Sequence, residues 1–287
     1  MNHHIQPSQA RVIRELVENW SGIILDENDV HFLEFRLRPL LKKFDCEDYS
    51  DLVEIARRGG TAIRTALVDA VTTNETSWFR DVNVYRELRE EILPGLIAMR
   101  GVGAPLDIWS AACSTGQEPY TVAMLCREIE RLHEIPGFHA TNVRILATDI
   151  CQEALAAARK GVYDSIAIKR GLPPEYIERY TEPRDGKSAV TRAVKDLVRF
   201  DQMSLMDRHY GTEQMDLILL RNVLIYFNDQ TKRDILDKAH RRLRPGGILL
   251  VGGAENAARY SNRFEAVFAN GMTYYRKADP FSGRASA

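Results

Sequence analysis

The chain has 287 residues, 45% hydrophobic and 28% charged, ordinary globular material long enough for one large domain or one large plus one small. Its 39 lysines and arginines face 40 aspartates and glutamates, and the formal net charge of −1 excludes a global field that would draw nucleic acid or an anionic membrane surface. The four cysteines, Cys46, Cys113, Cys126 and Cys151, form no CxxC pair, which argues against a zinc knuckle or a disulfide framework and fits a reducing cytoplasm.

The first residues, MNHHIQPSQARVIREL, lack the apolar core of a signal peptide, and no stretch approaches the roughly 18 apolar residues of a membrane span. No direct membrane insertion is expected. From Pro7 to about Val71 the pattern is helical, with Val12, Leu16 and Val17, then Leu33, Leu37, Leu40, Leu41 and Phe44, at three-to-four spacing. Leu52, Ile55, Ala56, Ile63 and Leu67 continue it across Gly59 and Gly60, which end one helix before another begins. Pro39 removes a backbone donor inside VHFLEFRLRPLLKKF and is expected to kink that helix or restart it. The segment TTNETSWFRD, Thr72 to Asp81, follows. It reads either as a linker with a helix cap and an aromatic anchor, or as a lid facing a cleft between two domains.

After Pro105, short apolar runs begin to alternate with helical patterns, which predicts a doubly wound parallel sheet. The runs are Leu106 to Trp109, Val143 to Ala147, Met215 to Leu220 and Ile248 to Val251, with helices starting near Pro119, Glu153 and Asp229. The last helix is expected to close with Leu243-Arg244-Pro245-Gly246-Gly247. Between Lys169 and Phe200 the alternation lapses into a short helix and a turn at Asp185-Gly186 flanked by strand-like segments, an insertion in the main domain. The division expected is residues 1–76 as a helical N-terminal domain and 77–287 as the main domain, with the insertion at about 170–200 and a frayed polar tail after Pro280.

In an open parallel sheet, ligands sit beyond the carboxyl ends of the strands. The loop SAACSTGQEPYT, Ser110 to Thr121, follows the first strand with small residues that leave room for a ligand against backbone. It carries only Gly116, without the glycines or the Lys-Ser pair of a phosphate cradle, so a phosphate-free ligand is indicated. Asp149 closes the second strand, where a carboxylate can accept from both ribose hydroxyls or help start the next helix. Arg221 and Asn222 interrupt the apolar LILLRNVLIYF; a buried guanidinium needs a partner, with Asp149, Glu118 or a substrate as candidates and a structural ion pair as the bland reading. Tyr226 either points into the cleft or packs beside it.

Taken together and in this order, TTNETSWFRD, IWSAACSTGQEPYT, ILATDI, LLRNVLIYF and LRPGGILLVGGAEN resemble the CheR family of chemoreceptor glutamate methyltransferases, over essentially the whole chain. The resemblance implies an α/β fold, a Rossmann-like S-adenosylmethionine-dependent methyltransferase sheet with a small all-helical N-terminal domain and a small β insertion. It places S-adenosylmethionine contacts on Asn74, Thr76, Arg80, Glu118, Asp149, Ser204, Leu205, Arg221 and Asn222, with Arg80 and Tyr226 facing the reacting groups. It implies receptor docking through Arg36, Arg38, Lys42 and Lys43 onto the cytoplasmic methylation helices of chemoreceptors. Departures are Gln117 where the family often has a second acid, Ser204 where some members have asparagine, and Pro39 and Leu40 where relatives can carry arginine. The short TEPRDGKSAV turn resembles members that act independently of a C-terminal receptor pentapeptide tether. A cytoplasmic monomer that binds no nucleic acid is expected. The alternatives are a methyltransferase with another substrate and a non-catalytic cofactor-binding adaptor.

Overall fold

The computed structural model describes residues 4–26 and 29–278; the tail expected to fray after Pro280 lies outside the described residues. Four helices come first, α1 (Pro7–Ser21), α2 (Val30–Lys43), α3 (Tyr49–Arg58) and α4 (Thr61–Val71). Proline opens α1, whose pre-set φ suits a first helical position. Asp29 and Asp48 cap α2 and α3 by accepting from the backbone of Phe32 and of Ser50 and Asp51. Gly59 and Gly60 make the break between α3 and α4 that the sequence indicates. Contrary to one expectation, α2 does not restart at Pro39 and runs as one helix. The proline forfeits only the bond to the carbonyl of Phe35, and both residues are exposed, so water can serve that carbonyl.

The strap Thr72 to Asp81 leads into α5 (Val82–Glu87), a π-helical turn (Leu88–Ile92) and α6 (Leu93–Arg100). Then come β1 (Leu106–Ala111), α7 (Gln117–Arg131), β2 (Val143–Asp149) and α8 (Gln152–Lys160). The insertion consists of β3 (Val162–Tyr163), α9 (Ser165–Lys169), α10 (Pro174–Tyr180), β4 (Thr181–Arg184), β5 (Lys187–Val190) and α11 (Arg192–Lys195). The chain finishes with β6 (Val198–Gln202), β7 (Met215–Leu220), α12 (Asp229–Arg242), β8 (Leu243–Val251), β9 (Phe264–Ala269) and β10 (Met272–Lys277).

The main sheet has the order β6-β2-β1-β7-β8-β10-β9, parallel except that β10 runs antiparallel to β8 and to β9. The parallel reading is therefore corrected at one edge. The β9–β10 hairpin turns on Asn270 and Gly271, both left-handed, the two-residue turn chemistry that matches strand twist. Two boundaries also move. Residues 198–200, read as the end of the insertion, belong to the edge strand β6 beside β2, and the small separate sheet begins earlier, at β3. The segment read as the end of the last helix is already strand, for α12 stops at Arg242 and β8 begins at Leu243 with an irregular register against β7.

Alternation along the strands sorts their side chains to two faces. Ile108, Ile145, Leu217 and Ile248 join α5–α8 and the insertion in one buried cluster. Trp109, Leu146, Ile218 and Leu249 join α1–α4 and α12 in the other. The helical N-terminal region thus closes the second face of the sheet. Each buried Leu or Ile contributes about 1.5–3 kcal/mol relative to exposure, so this shared cluster fixes where the four helices sit.

A buried carboxylate ties the insertion to the first layer. Glu128 on α7 accepts from Arg131 (2.7 Å), from Arg179 (3.2 Å) and from the Tyr180 hydroxyl (2.6 Å). Burial pushes its pKa up, but the bonds from Arg131 and Tyr180 and the two positive charges outweigh that and bring it down from 4.5 to about 2. A depressed carboxylate contributes stability that is present above pH 4.5 and lost as the pH falls through 2. Denaturant unfolding followed across that window should show stability falling with pH, with a shallower slope for Glu128→Gln; equal slopes would mean that Glu128 titrates normally.

Candidate functional site

A cavity of about 350 Å³ lies at the carboxyl ends of β1, β2, β6 and β7, between the strap and the α1–α2 connection. The order of the sheet explains its place. The chain leaves β1 towards β2 on one side and returns as β7 on the other, opening the crevice where ligands of such sheets bind.

The loop after β1 is held in an unusual shape. Ala112, Ser114 and Gly116 have φ of 57°, 51° and 94°, in the left-handed region that non-glycine residues seldom occupy. The backbone N–H of Ser114 donates to Asp149 Oδ2 (2.7 Å) and that of Cys113 to the Thr148 carbonyl (2.9 Å). Gly116 serves packing, since a Cβ there would lie 2.9 Å from Ala158 Cβ and 3.2 Å from the Tyr163 hydroxyl. Asp149 also accepts from the Cys151 N–H (2.8 Å). Burial raises its pKa, and its backbone hydrogen bonds pull the other way. Each of its oxygens is engaged once on these two bonds, and a carboxylate oxygen has capacity for a second. The cap of α8 is the sulfur of Cys151, which accepts from the Ala154 N–H, so Asp149 sets the loop and leaves the capping to its neighbour.

Arg221 finds two of its partners in unexpected places. Its side chain is only 1% exposed and donates to Glu118 (3.1 Å), Asp81 (2.7 Å) and the Arg80 carbonyl (2.8 Å). Glu118 was a candidate; Asp149 is engaged elsewhere, and Asp81 was not foreseen. Burial works against the guanidinium charge, but Tyr85, Glu118 and Asp81 outweigh it and hold the pKa above its ordinary value. Glu118 in turn accepts from the Ser110 hydroxyl (2.8 Å). Arg221 also donates to the Tyr85 hydroxyl (3.4 Å), and its remaining N–H, at Nε, is buried without a partner.

The next residue, Asn222, is left-handed (φ 56°) and donates its N–H to Glu255 Oε2 (2.7 Å), which also accepts from Gly252 (2.6 Å). Glu255 Oε1 accepts from Ile225 (3.3 Å). One carboxylate therefore staples the loop that carries Asn222 and Tyr226 to the end of β8. Gly252 has no room for a side chain, since a Cβ would lie 2.6 Å from Asn222 Nδ2. Sequence reasoning missed Glu255, and its signal was an acid inside the GGAEN run. Tyr226 is half-buried on a 3₁₀ turn (Leu224–Tyr226), and its carbonyl accepts from Ile24 of the α1–α2 connection (2.9 Å). The apolar Ile23, Ile24 and Phe32, which line the cavity, were likewise missed, because apolar residues within a stretch read as helical from Pro7 to about Val71 pass for core.

The strap closes the other side. Asn74 accepts from the Ser114 hydroxyl through its carbonyl (3.0 Å) and donates from its side chain to the Cys151 sulfur (3.4 Å). Arg80 reaches back to the Glu75 carbonyl (3.3 Å), between two left-handed residues, Phe79 and Asp81. Ser204 and Leu205 follow β6; the Leu205 carbonyl accepts from Lys238 and Tyr210. Asn74, Thr76, Arg80, Glu118, Asp149, Ser204, Leu205, Arg221, Asn222 and Tyr226 all line this one cavity.

Arg36, Arg38, Lys42 and Lys43 lie apart from it on α2. Arg38, Lys42 and Lys43 are exposed, whereas Arg36 is half-buried over the Phe32 ring and Arg38 pairs with Glu34 at 3.2 Å. Among the described residues no cluster of His, Cys, Asp and Glu could hold a metal ion, and no helix is long and apolar enough to cross a membrane.

The donor set suits a ligand with a diol, an amino-acid end and a flat apolar part. Asp149 has acceptor capacity left, Arg221 has a buried N–H without a partner, and Ile24 and Phe32 supply an apolar wall. Comparison with known proteins agrees. The family model described as "CheR methyltransferase, SAM binding domain" matches residues 74–272. The chain is 37% identical to chemotaxis protein methyltransferase 1 of Pseudomonas aeruginosa over 266 residues, 92% of this chain and 96% of that protein. It is 38% identical to a chemotaxis protein methyltransferase of Vibrio parahaemolyticus over 274 residues, 95% of this chain and 98% of the relative.

Proposed function

The chain belongs to the CheR methyltransferase family, and we propose that it moves a methyl group from S-adenosylmethionine to glutamate side chains of chemoreceptors, giving γ-glutamyl methyl esters for chemosensory adaptation. The observation that carries this reading is the convergence of Asp149, Glu118, Arg221 and the strap on one cavity at the switch point of the sheet. S-adenosylmethionine supplies an electrophilic methyl group on a sulfonium. The chain's residues bind and orient. Asp149 holds the ribose through its free acceptor capacity, Arg221 and Glu118 hold the amino-acid end, and Asn74, Thr76, Ser204, Leu205 and Asn222 complete the contacts.

A glutamate acceptor is already ionised near neutral pH, so no general base is required. Rate then comes from alignment of the two reactants and from a site poor in water, where opposite charges that vanish on transfer are no longer held by solvent. Arg80 steers the acceptor carboxylate and Tyr226 hydrogen-bonds beside it. The exposed Arg38, Lys42 and Lys43 with Arg36 on α2 give the helical region a positive face for acidic methylation helices. The protein acts in the cytoplasm as a monomer and without a receptor pentapeptide tether, the reading that the short turn at Asp185-Gly186 supports.

The test is transfer of radiolabelled methyl from S-adenosylmethionine to chemoreceptor cytoplasmic fragments with and without the C-terminal pentapeptide, followed by mild alkali. The expected result is alkali-labile label on glutamate at equal rates for both fragments. Cofactor binding without transfer would point to another substrate or an adaptor, and faster transfer to the pentapeptide-bearing fragment would overturn tether independence.

A further inference from the structure

The insertion touches both segments that carry the proposed cofactor contacts. Tyr163 on β3 donates its hydroxyl to the carbonyl of Thr115 (2.7 Å), in the loop after β1. The same ring packs edge-on against Trp78 of the strap, with centroids 5.0 Å apart at 77°. Trp78 is 1% exposed, and its backbone N–H donates to the Arg170 carbonyl (3.1 Å) at the end of α9. Gly171 follows with φ of +102°, and a Cβ there would lie 2.2 Å from the Trp78 carbonyl oxygen. The backbones of strap and insertion therefore meet where a side chain has no room. Phe79 extends the contact by packing on Tyr176 of α10 (4.8 Å). The exposed Arg170–Glu75 pair at 3.4 Å adds little.

The strap needs such support. Phe79 and Asp81, on either side of Arg80, have φ of 46° and 66°, a conformation that persists only where surrounding contacts impose it. On the sheet side Arg221 grips the Arg80 carbonyl and Asp81; on the other side the contacts come from the insertion.

We propose that the insertion is an internal brace for the cofactor site, with Tyr163 the positioning residue that keeps the strap and the loop after β1 in register. This rests on the cofactor reading above. The role differs from docking a partner, because it operates within the chain and needs no second molecule. Tyr163→Phe removes only the bond to Thr115 and leaves the ring against Trp78. Gly171→Ala pushes the Trp78 carbonyl and with it the strap.

The experiment uses the full-length protein, with S-adenosylmethionine titrated calorimetrically, steady-state methyl transfer to receptor fragments, and thermal unfolding of the unliganded protein. Tyr163→Phe is expected to weaken S-adenosylmethionine binding about fivefold, the equivalent of one hydrogen bond of about 1 kcal/mol, and to raise KM for it with kcat within about twofold. Gly171→Ala is expected to lower kcat more than affinity, because it displaces Arg80. A lower melting temperature for Tyr163→Phe with unchanged affinity and KM would make the contact merely structural and overturn the brace, whether or not Gly171→Ala folds. Failure of the unaltered protein to bind S-adenosylmethionine would overturn the cofactor reading and the brace together.

Discussion

Replacing Arg80 by alanine should lower turnover about a hundredfold while changing affinity for S-adenosylmethionine only a few-fold, the pattern of a group that positions the acceptor. Arg80 is half-buried on the cavity wall, and its own hydrogen bond goes to the strap carbonyl of Glu75. Among the described residues no carboxylate lies within ion-pairing distance of it, in contrast to Arg221 beside Glu118 and Asp81. With no counter-ion among the described residues, this cation can meet the carboxylate of an incoming glutamate, and a charged hydrogen bond of that kind is about twice as strong as a neutral one. Arg80→Lys keeps the charge without the planar fork and should recover part of the rate. Single-turnover kinetics at saturating cofactor, beside direct titration of S-adenosylmethionine, separate the two effects. An unchanged rate in Arg80→Ala would remove this residue from the mechanism.

Arg221→Met should destabilise the fold by about 3 kcal/mol and abolish measurable cofactor binding. The guanidinium is buried, and removing it leaves Glu118 nearly buried with no cation beside it; stranding a charge in this way costs about 3–5 kcal/mol in general. The lower figure applies because Asp81 is about half exposed and can be served by water. The binding loss follows from geometry, since the same side chain fixes Glu118 through Nη1 and the strap through Nη2. Denaturant unfolding and cofactor titration of Arg221→Met and Arg221→Lys check both statements. A stability loss below about 1 kcal/mol would show that Glu118 and Asp81 find other partners.

Much of the site was legible because it is written in short segments that end strands. The break after each apolar run marks where side chains meet the crevice, and this led to Asp149, Glu118 and Arg221 without knowledge of their contacts. The residues that were missed belong to other kinds of signal. Glu255 acts on Asn222, Gly252 and Ile225 through backbone N–H groups, and a backbone donor leaves no mark in side-chain pattern. Ile24 and Phe32 line the cavity although they lie within a stretch read as helical. The β9–β10 hairpin carried a readable signal in Asn270-Gly271, hidden because the runs on either side alternate weakly.

The sequence by itself determined the four parallel runs that became β1, β2, β7 and β8 with the helices between them, the segments at their carboxyl ends, and most of the polar groups there. It did so because periodicity and turn residues act locally, over a few positions of chain. The tertiary structure alone decided the pairing of Arg221 with Asp81 and Glu118, the single-carboxylate staple at Glu255, and the grip of the insertion on the strap at Trp78 and Gly171. Those contacts join residues far apart in the chain, and which carboxylate a buried cation meets depends on where folding brings the candidates, a distance that spacing along the sequence does not encode.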